Sequence, residues 1–410
     1  MSHSILRKQR VPVVNKVTAW ESTTLIAFKE EKKYFSCINT NKIKTHFQFT
    51  DTKNIYIKKN HNTYNNFIMS RQTVLRLGDI RYAQSKWTEF QKTYDVISIN
   101  SKENSNTTRE SFISDLKSGK YDHIVGITRT FNSVSLTGRF DKELIDALPP
   151  NVKFICHNGA GYDQVDASYC ATKKIQVGNV PHLVNDPTSD THVFLLLGAL
   201  RNFKLGLNSI AKGQWNAGCS PGFDPVEKPV VGVLGLGGIG RDVVKKLKPF
   251  GFEKFYYHNR NRLSEELEQG CEWVSFDDLL AKCDIINVCI PLNPNTKHIL
   301  NKAAFEKMKD GVIIVNTARG AVIDEAEITK QLKSGKVAAF GTDVFEHEPN
   351  VTLENNELIS MDNVFALPHL GTNTFNTIKK MEEDVVDNAL GYLKSEKLVN
   401  LVPEMKGTFY

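Results

Sequence analysis

The sequence lacks any apolar run long enough to cross a bilayer as a helix. The two longest runs, at 193–200 and 230–240, fall well short of the roughly 18 residues that a span needs. The seven cysteines form no C-x-x-C pair and no zinc-like spacing, and we find no secretory signal. These absences exclude a membrane-spanning helix and argue against a disulfide framework. They predict reduced thiols in a reducing compartment.

Most of the chain also lacks a basic surplus. Residues 69–410 hold 40 Lys and Arg against 42 Asp and Glu, whereas residues 1–68 hold 12 against 4. A nucleic-acid-binding surface would need a basic stripe on the folded part, so we expect no nucleic acid as a partner. With 40% hydrophobic residues the composition is that of a globular protein, and 410 residues allow about two or three domains.

The basic first 68 residues differ from the rest. Lys, Asn and Thr dominate residues 39–66 without a clear helical or strand period, which predicts a poorly structured basic extension. Three explanations of residues 1–68 compete. The functional chain begins at Met69 and the first 68 residues come from a start codon chosen too far upstream, or these residues are a mitochondrial targeting segment, or they are a genuine additional segment. The acid-free first 20 residues favour targeting, but a proline and β-branched residues at 11–17 make a poor amphipathic helix.

From Thr73 onward, short β-branched or aromatic runs alternate with helical patterns, which is typical of βαβ units around parallel sheets. The first predicted sheet has strands at 73–77, 95–99, 123–127, 152–156 and 174–177. The second has six strands, at 230–236, 254–257, 285–290, 312–316, 337–341 and 363–367. One long helix is predicted at 188–211, and a final helix at 376–393 is expected to fold back onto the first domain.

Gly235, Gly237 and Gly240 form a G-x-G-x-x-G pattern between an apolar strand and a helix. The first glycine permits a tight turn, the second lets a pyrophosphate approach the backbone, and the third lets helix and strand pack closely. The helix N-terminus adds unpaired N–H groups for phosphate. A turn that merely links two elements is the alternative. In this βα context the pattern predicts a dinucleotide site, which includes Gly238 and Ile239.

A carboxylate is missing where the next strand of such a fold usually ends in an acid that bonds the ribose. His258 and Asn259 occupy this position, followed by Arg260 and Arg262. Without the acid a 2′-phosphate is not repelled, and Arg260 offers a planar donor fork suited to one. We therefore expect NADPH as the preferred cofactor, with NADH as the alternative. The alternative interpretation is that Arg260 and Arg262 bind no ligand and are solvated charges at the end of a strand.

Three different polar side chains follow strands of the second predicted sheet. Arg319 follows the strand at 312–316, Glu348 lies beyond the strand ending near Gly341, and His369 follows the last strand. Ligands bind beyond the carboxyl ends of the strands in an open α/β sheet. We therefore expect these side chains to meet in one crevice with the nicotinamide end of the cofactor. Each alone would be an ordinary loop or surface residue.

Together these residue types supply what the reduction of a 2-oxo acid requires. Hydride transfer leaves negative charge on the keto oxygen, to which a protonated His369 could donate a proton. Glu348 would bond the other ring nitrogen, orient the imidazole and favour its charged form. Arg319 could bind the substrate carboxylate bidentately and polarise the carbonyl. We expect no metal.

Six motifs occur in one order along the chain: NGAGYD (158–163), GLGGIG (235–240), CIPL (289–292), VNTARG (315–320), GTDVFEHEP (341–349) and LPHLG (367–371). With them the chain resembles the D-isomer-specific 2-hydroxyacid dehydrogenases over about residues 73–404. It is most similar to glyoxylate/hydroxypyruvate reductases, through YHNR at 257–260 and NTARGAVID at 316–324.

The resemblance implies an α/β protein with two Rossmann-like or flavodoxin-like domains and a cleft between them. Residues 69–185 and 369–410 would form the substrate-binding domain, and residues 186–368 an inserted NAD(P)-binding Rossmann domain. The family usually forms homodimers, so we expect a homodimer here. By composition and by resemblance the cytoplasm is the expected location, and the mitochondrion the alternative if residues 1–68 are a targeting segment.

The resemblance also assigns residues. Arg319, Glu348 and His369 would be the catalytic set, and the backbone N–H groups of Ala160 and Gly161 would face the substrate carboxylate. Further cofactor contacts would come from Pro291 beside the adenine and from Thr317, Ala318, Asp343 and Gly371. We expect Asp163 to cap the following helix rather than to act as an acid. Arg129 is a further candidate for a substrate contact.

The expected function is NADPH-dependent reduction of glyoxylate or hydroxypyruvate to glycolate or D-glycerate. Two alternatives are another D-2-hydroxyacid dehydrogenase and a non-enzymatic, corepressor-like sensor of dinucleotides, since fold does not fix function.

Overall fold

The computed structural model describes residues 71–409 with side chains and, nearer the N-terminus, the backbone of five strands. These strands are β1 (Thr23–Leu25), β2 (Tyr34–Asn39), β3 (Lys44–Asp51), β4 (Asn54–Lys59) and β5 (Thr63–Ile68). They pair in chain order as an antiparallel sheet within a compact unit at Met1–Arg71. The sequence analysis found no strand period here, so these strands differ from that expectation. The remainder of residues 1–68, with its competing explanations, lies outside the described residues.

The unit at Gln72–Tyr410 contains two parallel sheets. The first consists of β6 (Thr73–Leu77), β7 (Asp95–Ile99), β8 (Ile124–Thr130), β9 (Phe154–Asn158) and β10 (Gln176–Gly178). The second consists of β11 (Val230–Leu234), β12 (Lys254–His258), β13 (Glu272–Trp273), β14 (Ile285–Val288), β15 (Val312–Asn316), β16 (Val337–Thr342) and β17 (Val364–Ala366). Their strand orders are β10-β9-β8-β6-β7 and β13-β12-β11-β14-β15-β16-β17. The predicted α/β class with two parallel sheets is confirmed.

The prediction of six strands in the second sheet was wrong by one. The additional strand is β13, which pairs with β12 through two residues at the edge of the sheet. Two residues are too few to produce a recognisable strand period.

Helices connect the strands. They are α1 (Gln84–Gln91), α2 (Arg109–Lys117), α3 (Val134–Thr137), α4 (Lys142–Ala147), α5 (Ala167–Thr172), α6 (Asn185–Leu200), α7 (Phe203–Ala211), α8 (Gly238–Leu247), α9 (Glu265–Glu268), α10 (Phe276–Lys282), α11 (Lys302–Lys307), α12 (Glu325–Ser334) and α13 (Phe375–Ser395).

The single helix predicted at 188–211 is two helices, α6 and α7. They break at Asn202, which adopts the left-handed conformation with φ of 53°, and they are bent by 82°. A left-handed residue cannot continue a right-handed helix, and its side chain gives no periodic signal of the break. No single helix in the described part of the chain is long and apolar enough to cross a membrane. The bent pair α6 and α7 meets the length and composition criteria only when taken together.

Two helices carry the chain between the sheets. Leu195 and Leu196 of α6 are fully buried among side chains of the second sheet, such as Val231. Helix α13 returns the chain to the first sheet, where Val386 and Ala389 are fully buried in its core. Because all strands within each sheet are parallel, each sheet presents all its carboxyl ends at one edge.

Candidate active site

A cavity of about 1640 Å³ lies between the carboxyl edges of the two sheets. The first sheet contributes Thr130 and Asn158, the last residues of β8 and β9, to its lining. The second contributes Thr317 and Asp343, directly after β15 and β16. Both edges therefore line one space, where side chains from distant parts of the chain can act on a single ligand.

His369 and Glu348 form a hydrogen-bonded pair in the lining of this cavity. Nδ1 of His369 lies 2.6 Å from Oε2 of Glu348, and Oε1 of Glu348 accepts the N–H of Phe345 at 2.6 Å. The His369 backbone is left-handed, with φ of 55°, and its N–H donates to the Asp343 carbonyl at 2.9 Å. Within residues 71–409 no group bonds Nε2 of His369. The pair therefore fixes the ring and leaves Nε2 available to a ligand.

Arg319 lines the same cavity and is held by three oxygen atoms. Nε donates to Oδ1 of Asp163 at 2.8 Å, Nη1 to the Ala318 carbonyl at 2.7 Å, and Nη2 to the Gly161 carbonyl at 3.1 Å. Its Cζ lies 5.6 Å from the centroid of the Phe131 ring. A guanidinium has five N–H donors, so two remain for a substrate carboxylate.

The expectation that Asp163 caps a helix was wrong. Helix α5 begins at Ala167, and its N-cap is Asp166, whose side chain accepts the N–H of Tyr169 at 2.9 Å. Because the helix begins later than expected, Asp163 is not needed as a cap and instead pairs with Arg319. The two residues are 156 positions apart, and no local pattern in the sequence indicates such a contact.

Ala160 and Gly161 lie in the loop after β9 and line the cavity. A Cβ added at Gly161 would lie 2.1 Å from Nη2 of Arg319, so any other residue here would displace the guanidinium from its present position. The Ala160 carbonyl accepts Nδ2 of Asn179 at 2.7 Å. The N–H groups of Ala160 and Gly161 have no acceptor among the described residues, as an anion-binding loop requires.

Arg129 does not reach the cavity, so its candidacy as a substrate contact was wrong. The residue is 2% exposed, and Nη1 lies 3.0 Å from Nδ1 of His157 while Nη2 donates to Gln164 at 2.7 Å. Burial lowers the pKa of Arg129 to about 10 and lowers that of His157 well below its ordinary value. A Cβ at Gly159 would lie 2.8 Å from Nε2 of His157, so this buried pair supports the glycine loop.

The glycine-rich turn after β11 fits a dinucleotide. Gly235 has φ of 102°, and a Cβ there would lie 2.7 Å from Ile290. At Gly240 a Cβ would lie 2.3 Å from the Gly235 carbonyl, whereas at Gly237 it would meet nothing within 4 Å. The middle glycine thus leaves open space for a pyrophosphate, while the outer two allow the turn and its packing.

The phosphate-binding donors of this turn belong to the first turn of α8. Helix α8 begins at Gly238, so the N–H groups of Gly238, Ile239 and Gly240 have no acceptor within the helix. Ile239 also lines the cavity, which places the turn beside the catalytic candidates.

The residues predicted to lie beside the ribose of the cofactor differ in whether they already have hydrogen-bond partners. Nδ1 of His258 lies 2.9 Å from the Val274 carbonyl, and Oδ1 of Asn259 accepts the Leu236 N–H at 2.8 Å. Arg262 pairs with Glu268 at 2.8 Å. Arg260 is exposed, and no described residue forms a hydrogen bond or ion pair with its guanidinium.

Pro291 is exposed in the loop after β14. Strand β11 lies between β12 and β14, so Arg260 and Pro291 follow the two strands that flank the glycine-rich turn.

The remaining cofactor candidates surround Asp343, which is buried. Its Oδ1 accepts the Leu370 N–H at 2.7 Å and its Oδ2 the Gly371 N–H at 2.8 Å, and burial raises its pKa. The Ala318 N–H donates to Oδ1 of Asn316 at 2.9 Å. Thr317, Asp343 and Gly371 line the cavity together with Arg319 and His369.

Two residues near the site were missed by the sequence analysis. The centroid of the Phe131 ring lies 5.0 Å from that of His369 and 5.6 Å from Cζ of Arg319. Phe131 follows β8 directly, so inspection of strand ends in the first sheet would have found it. The second, His192, has its Nδ1 2.8 Å from Oγ1 of Thr317, and a histidine in an apolar helical stretch was its only signal.

Within residues 71–409 no three His, Cys, Asp or Glu side chains converge as a metal site.

Comparison with known proteins gives consistent matches. A model described as "D-isomer specific 2-hydroxyacid dehydrogenase, NAD binding domain" matches residues 193–371. Glyoxylate reductase 1 of Saccharomyces cerevisiae is 50% identical over 340 residues, covering 81% of this chain and 95% of that protein.

Two solved structures extend these matches. The crystal structure of a glyoxylate reductase from Paecilomyes thermophila gives a TM-score of 0.77 at 42% identity, covering 82% of this chain and 100% of that one. An NADPH-dependent glyoxylate/hydroxypyruvate reductase from Sinorhizobium meliloti, in complex with NADP and malonate, gives 0.68 at 27%, covering 82% and 98%.

Proposed function

The chain belongs to the D-isomer-specific 2-hydroxyacid dehydrogenases and is an NAD(P)-dependent reductase of 2-oxo acids; we propose that it uses NADPH to reduce glyoxylate and hydroxypyruvate to glycolate and D-glycerate. The observation that carries this proposal is the lining of one cavity by Arg319, Glu348 and His369 beside the dinucleotide turn. The names of two relatives, both glyoxylate reductases, support the substrate class.

His369 is the proposed proton donor. Glu348 holds Nδ1 at 2.6 Å, so the ring presents Nε2 to the substrate in a fixed orientation. When bound, the reduced nicotinamide ring supplies a hydride to the keto carbon of the substrate. Negative charge then develops on the keto oxygen, and a proton from Nε2 neutralises it. His369 regains its proton from solvent before the next turnover.

Arg319 is the proposed carboxylate clamp. Asp163, Gly161 and Ala318 together accept three of its five N–H donors, which fixes the guanidinium plane. The two remaining donors would bind the substrate carboxylate, and the N–H groups of Ala160 and Gly161 would approach the same anion. A substrate held at two points in this way has its keto carbon placed for hydride transfer.

NADPH is the proposed cofactor because Arg260 is exposed and has no partner among the described residues. Its guanidinium would bond the 2′-phosphate, while Asn259 holds the turn through Leu236 and carries no repulsive charge. Support also comes from the relative from Sinorhizobium meliloti, which is named as an NADPH-dependent reductase.

A homodimer is the proposed assembly, and helix α7 supplies an apolar surface for it. Phe203, Leu207 and Ile210 are 48%, 59% and 63% exposed and share one helix face, since they are spaced by four and three residues. We expect sedimentation to show a dimer that Ile210→Asp weakens. Val399→Asp, at another apolar residue that is 65% exposed, is the matched control and should leave the dimer intact.

The cytoplasm is the proposed location, with the mitochondrion as the alternative that residues 1–68 raise. Fluorescent fusions of the full chain and of residues 69–410 would distinguish them. Mitochondrial signal from the full chain alone would contradict the proposal.

A panel of cofactors and substrates tests the function directly. The purified full chain is assayed for steady-state oxidation of NADPH and NADH with glyoxylate, hydroxypyruvate and a bulky branched 2-oxo acid. We expect the highest kcat/KM with NADPH and the two small acids, and D-glycerate from hydroxypyruvate by chiral chromatography. Faster turnover of the branched acid, L-glycerate as product, or binding of NADPH without turnover would each contradict the proposal.

A further inference from the structure

A fully buried histidine with no assigned role lies beneath the nicotinamide side of the cavity. His192 on α6 is 0% exposed, and both ring nitrogens have partners. Nδ1 lies 2.8 Å from Oγ1 of Thr317, and Nε2 lies 2.7 Å from Oδ1 of Asn287. Burial lowers the pKa of His192 to about 4, so the ring is neutral near pH 7 and carries one proton.

The hydrogen bonds of Asn287 determine which ring nitrogen of His192 carries that proton. Nδ2 of Asn287 donates to the Gly232 carbonyl at 3.3 Å, which turns Oδ1 of Asn287 toward His192. A carboxamide oxygen only accepts, so Nε2 of His192 must carry the ring proton. Nδ1 is then an acceptor, and the Thr317 hydroxyl must donate its only proton to it.

Thr317 consequently presents only lone pairs to any further partner. It lines the cavity together with Asp343 and Gly371, on the side where the nicotinamide group should lie. A hydroxyl free to rotate could donate or accept, whereas this one can only accept. The primary carboxamide of nicotinamide carries two N–H donors, which match such an acceptor.

We propose that His192 is a positioning residue that fixes the Thr317 hydroxyl as a hydrogen-bond acceptor for the carboxamide N–H of the nicotinamide group. This inference rests on the proposed use of a nicotinamide dinucleotide. Donation starts at the Thr317 hydroxyl after β15, passes through His192 to Asn287 in β14 and ends at the Gly232 carbonyl in β11, so the hydrogen-bond chain links three adjacent strands.

A purely structural role explains His192 less well. Its neighbours Val193, Leu195 and Leu196 are buried apolar side chains, and an apolar residue would fill the same space without polar atoms to satisfy. Both ring nitrogens are instead hydrogen-bonded, in a chain of donation that begins at the Thr317 hydroxyl in the cavity lining.

The test compares binding of NADPH with binding of its 3-acetylpyridine analogue, in which a methyl group replaces the carboxamide NH2. Dissociation constants are measured by calorimetry with the full chain and no 2-oxo acid. We expect the wild type to prefer NADPH by about fivefold to tenfold, as for one hydrogen bond. Thr317→Val removes the acceptor, so this variant should bind the two dinucleotides about equally. His192→Leu frees the hydroxyl to rotate, so this variant should prefer NADPH less strongly than the wild type does.

Adenosine 2′,5′-bisphosphate, which lacks the nicotinamide, is the internal control and should bind wild type and variants alike. Equal binding of both dinucleotides by the wild type, or an undiminished preference in the His192→Leu or Thr317→Val variant, overturns this inference alone. Failure of the wild type to bind any of the three probes overturns the proposed function and this inference with it. Thr317→Val is isosteric and tests the acceptor even where His192→Leu does not fold, and the tautomer of the wild-type imidazole then tests the role of His192.

Imidazole nitrogen resonances provide a second, independent reading. We expect the His192 ring to remain in the Nε2–H tautomer between about pH 5 and about pH 8. Its nitrogen resonances should be absent from the spectrum of His192→Leu. An Nδ1–H tautomer for that ring would overturn the inference, because Thr317 would then be free to donate.

Discussion

Two fully buried histidines each contact the side chains at one sheet edge, His157 from β9 of the first sheet and His192 from helix α6 beside the second, and they differ in how their ring nitrogens are used. His192, beside the second sheet, bonds Thr317 and Asn287 through both nitrogens. His157, on β9 of the first sheet, bonds Arg129 through Nδ1, while its Nε2 lies near the Gly161 carbonyl without forming a hydrogen bond. The first histidine fixes a side chain, and the second supports a backbone loop.

The difference follows from what each edge presents to a ligand. The second sheet presents side chains, Arg319 and His369 among them, and each must hold one rotamer and one set of protons. The first sheet presents the backbone of residues 159–161, which needs close packing beneath it rather than a fixed proton. Substitutions at the second edge should therefore change the chemistry, and substitutions at the first edge should change the geometry.

The largest effect is expected from His369→Ala at the second edge. Loss of the proton donor should lower kcat by about 10²-fold or more, since general acid catalysis contributes at least that much. Steady-state assays with glyoxylate and NADPH measure it. NADPH affinity, measured separately, should stay unchanged. A loss of kcat smaller than about tenfold would show that the proton comes from another group.

A comparable test of the first edge is Gly161→Ala. The new Cβ would lie 2.1 Å from Nη2 of Arg319 and must displace the guanidinium. A shift of about 1 Å in a binding group can cost up to about 10²-fold, so we expect kcat/KM to fall by between about tenfold and that limit, mainly through KM. Gly206→Ala is the matched control, because nothing lies within 4 Å of a Cβ there. An unchanged KM in Gly161→Ala would mean that Arg319 does not bind the substrate at this loop.

These two edges were not equally predictable from the sequence. At the second edge, parallel strands bring their carboxyl ends together, so residues that follow strands locate Arg319 and His369 without any knowledge of packing. The first edge depends on the Asp163–Arg319 contact and on the burial of Arg129, both set by packing between distant segments. The break at Asn202 was missed for a related reason, because a single left-handed residue leaves the apolar pattern on either side intact.

A smaller effect, on stability rather than activity, concerns His192. Burial lowers its pKa to about 4 in the folded chain, against 6.5 for an ordinary histidine, so the unfolded chain binds more protons between these two pH values. Stability therefore falls as pH drops through that window, by about 2 kcal/mol between about pH 7 and about pH 5. Urea unfolding at both pH values should show a correspondingly smaller fall for His192→Gln. An equal fall in wild type and variant would contradict the buried, neutral state of His192.

The smallest effect is expected from Arg260→Ala. Arg260 is an exposed side chain at the second edge, unlike His192, whose hydrogen bonds are buried. A charged hydrogen bond to the 2′-phosphate accounts for about a tenfold gain in affinity, so the variant should bind NADPH about tenfold more weakly and NADH unchanged. Arg262→Ala is the matched control, because Arg262 is held by Glu268 at 2.8 Å and should leave both affinities as they are. Equal losses for both cofactors in Arg260→Ala would show that the guanidinium acts on a part common to both dinucleotides.

High salt should reduce the NADPH preference of the wild type, because an exposed ion pair is screened by ions, whereas the buried hydrogen bonds of His192 are not.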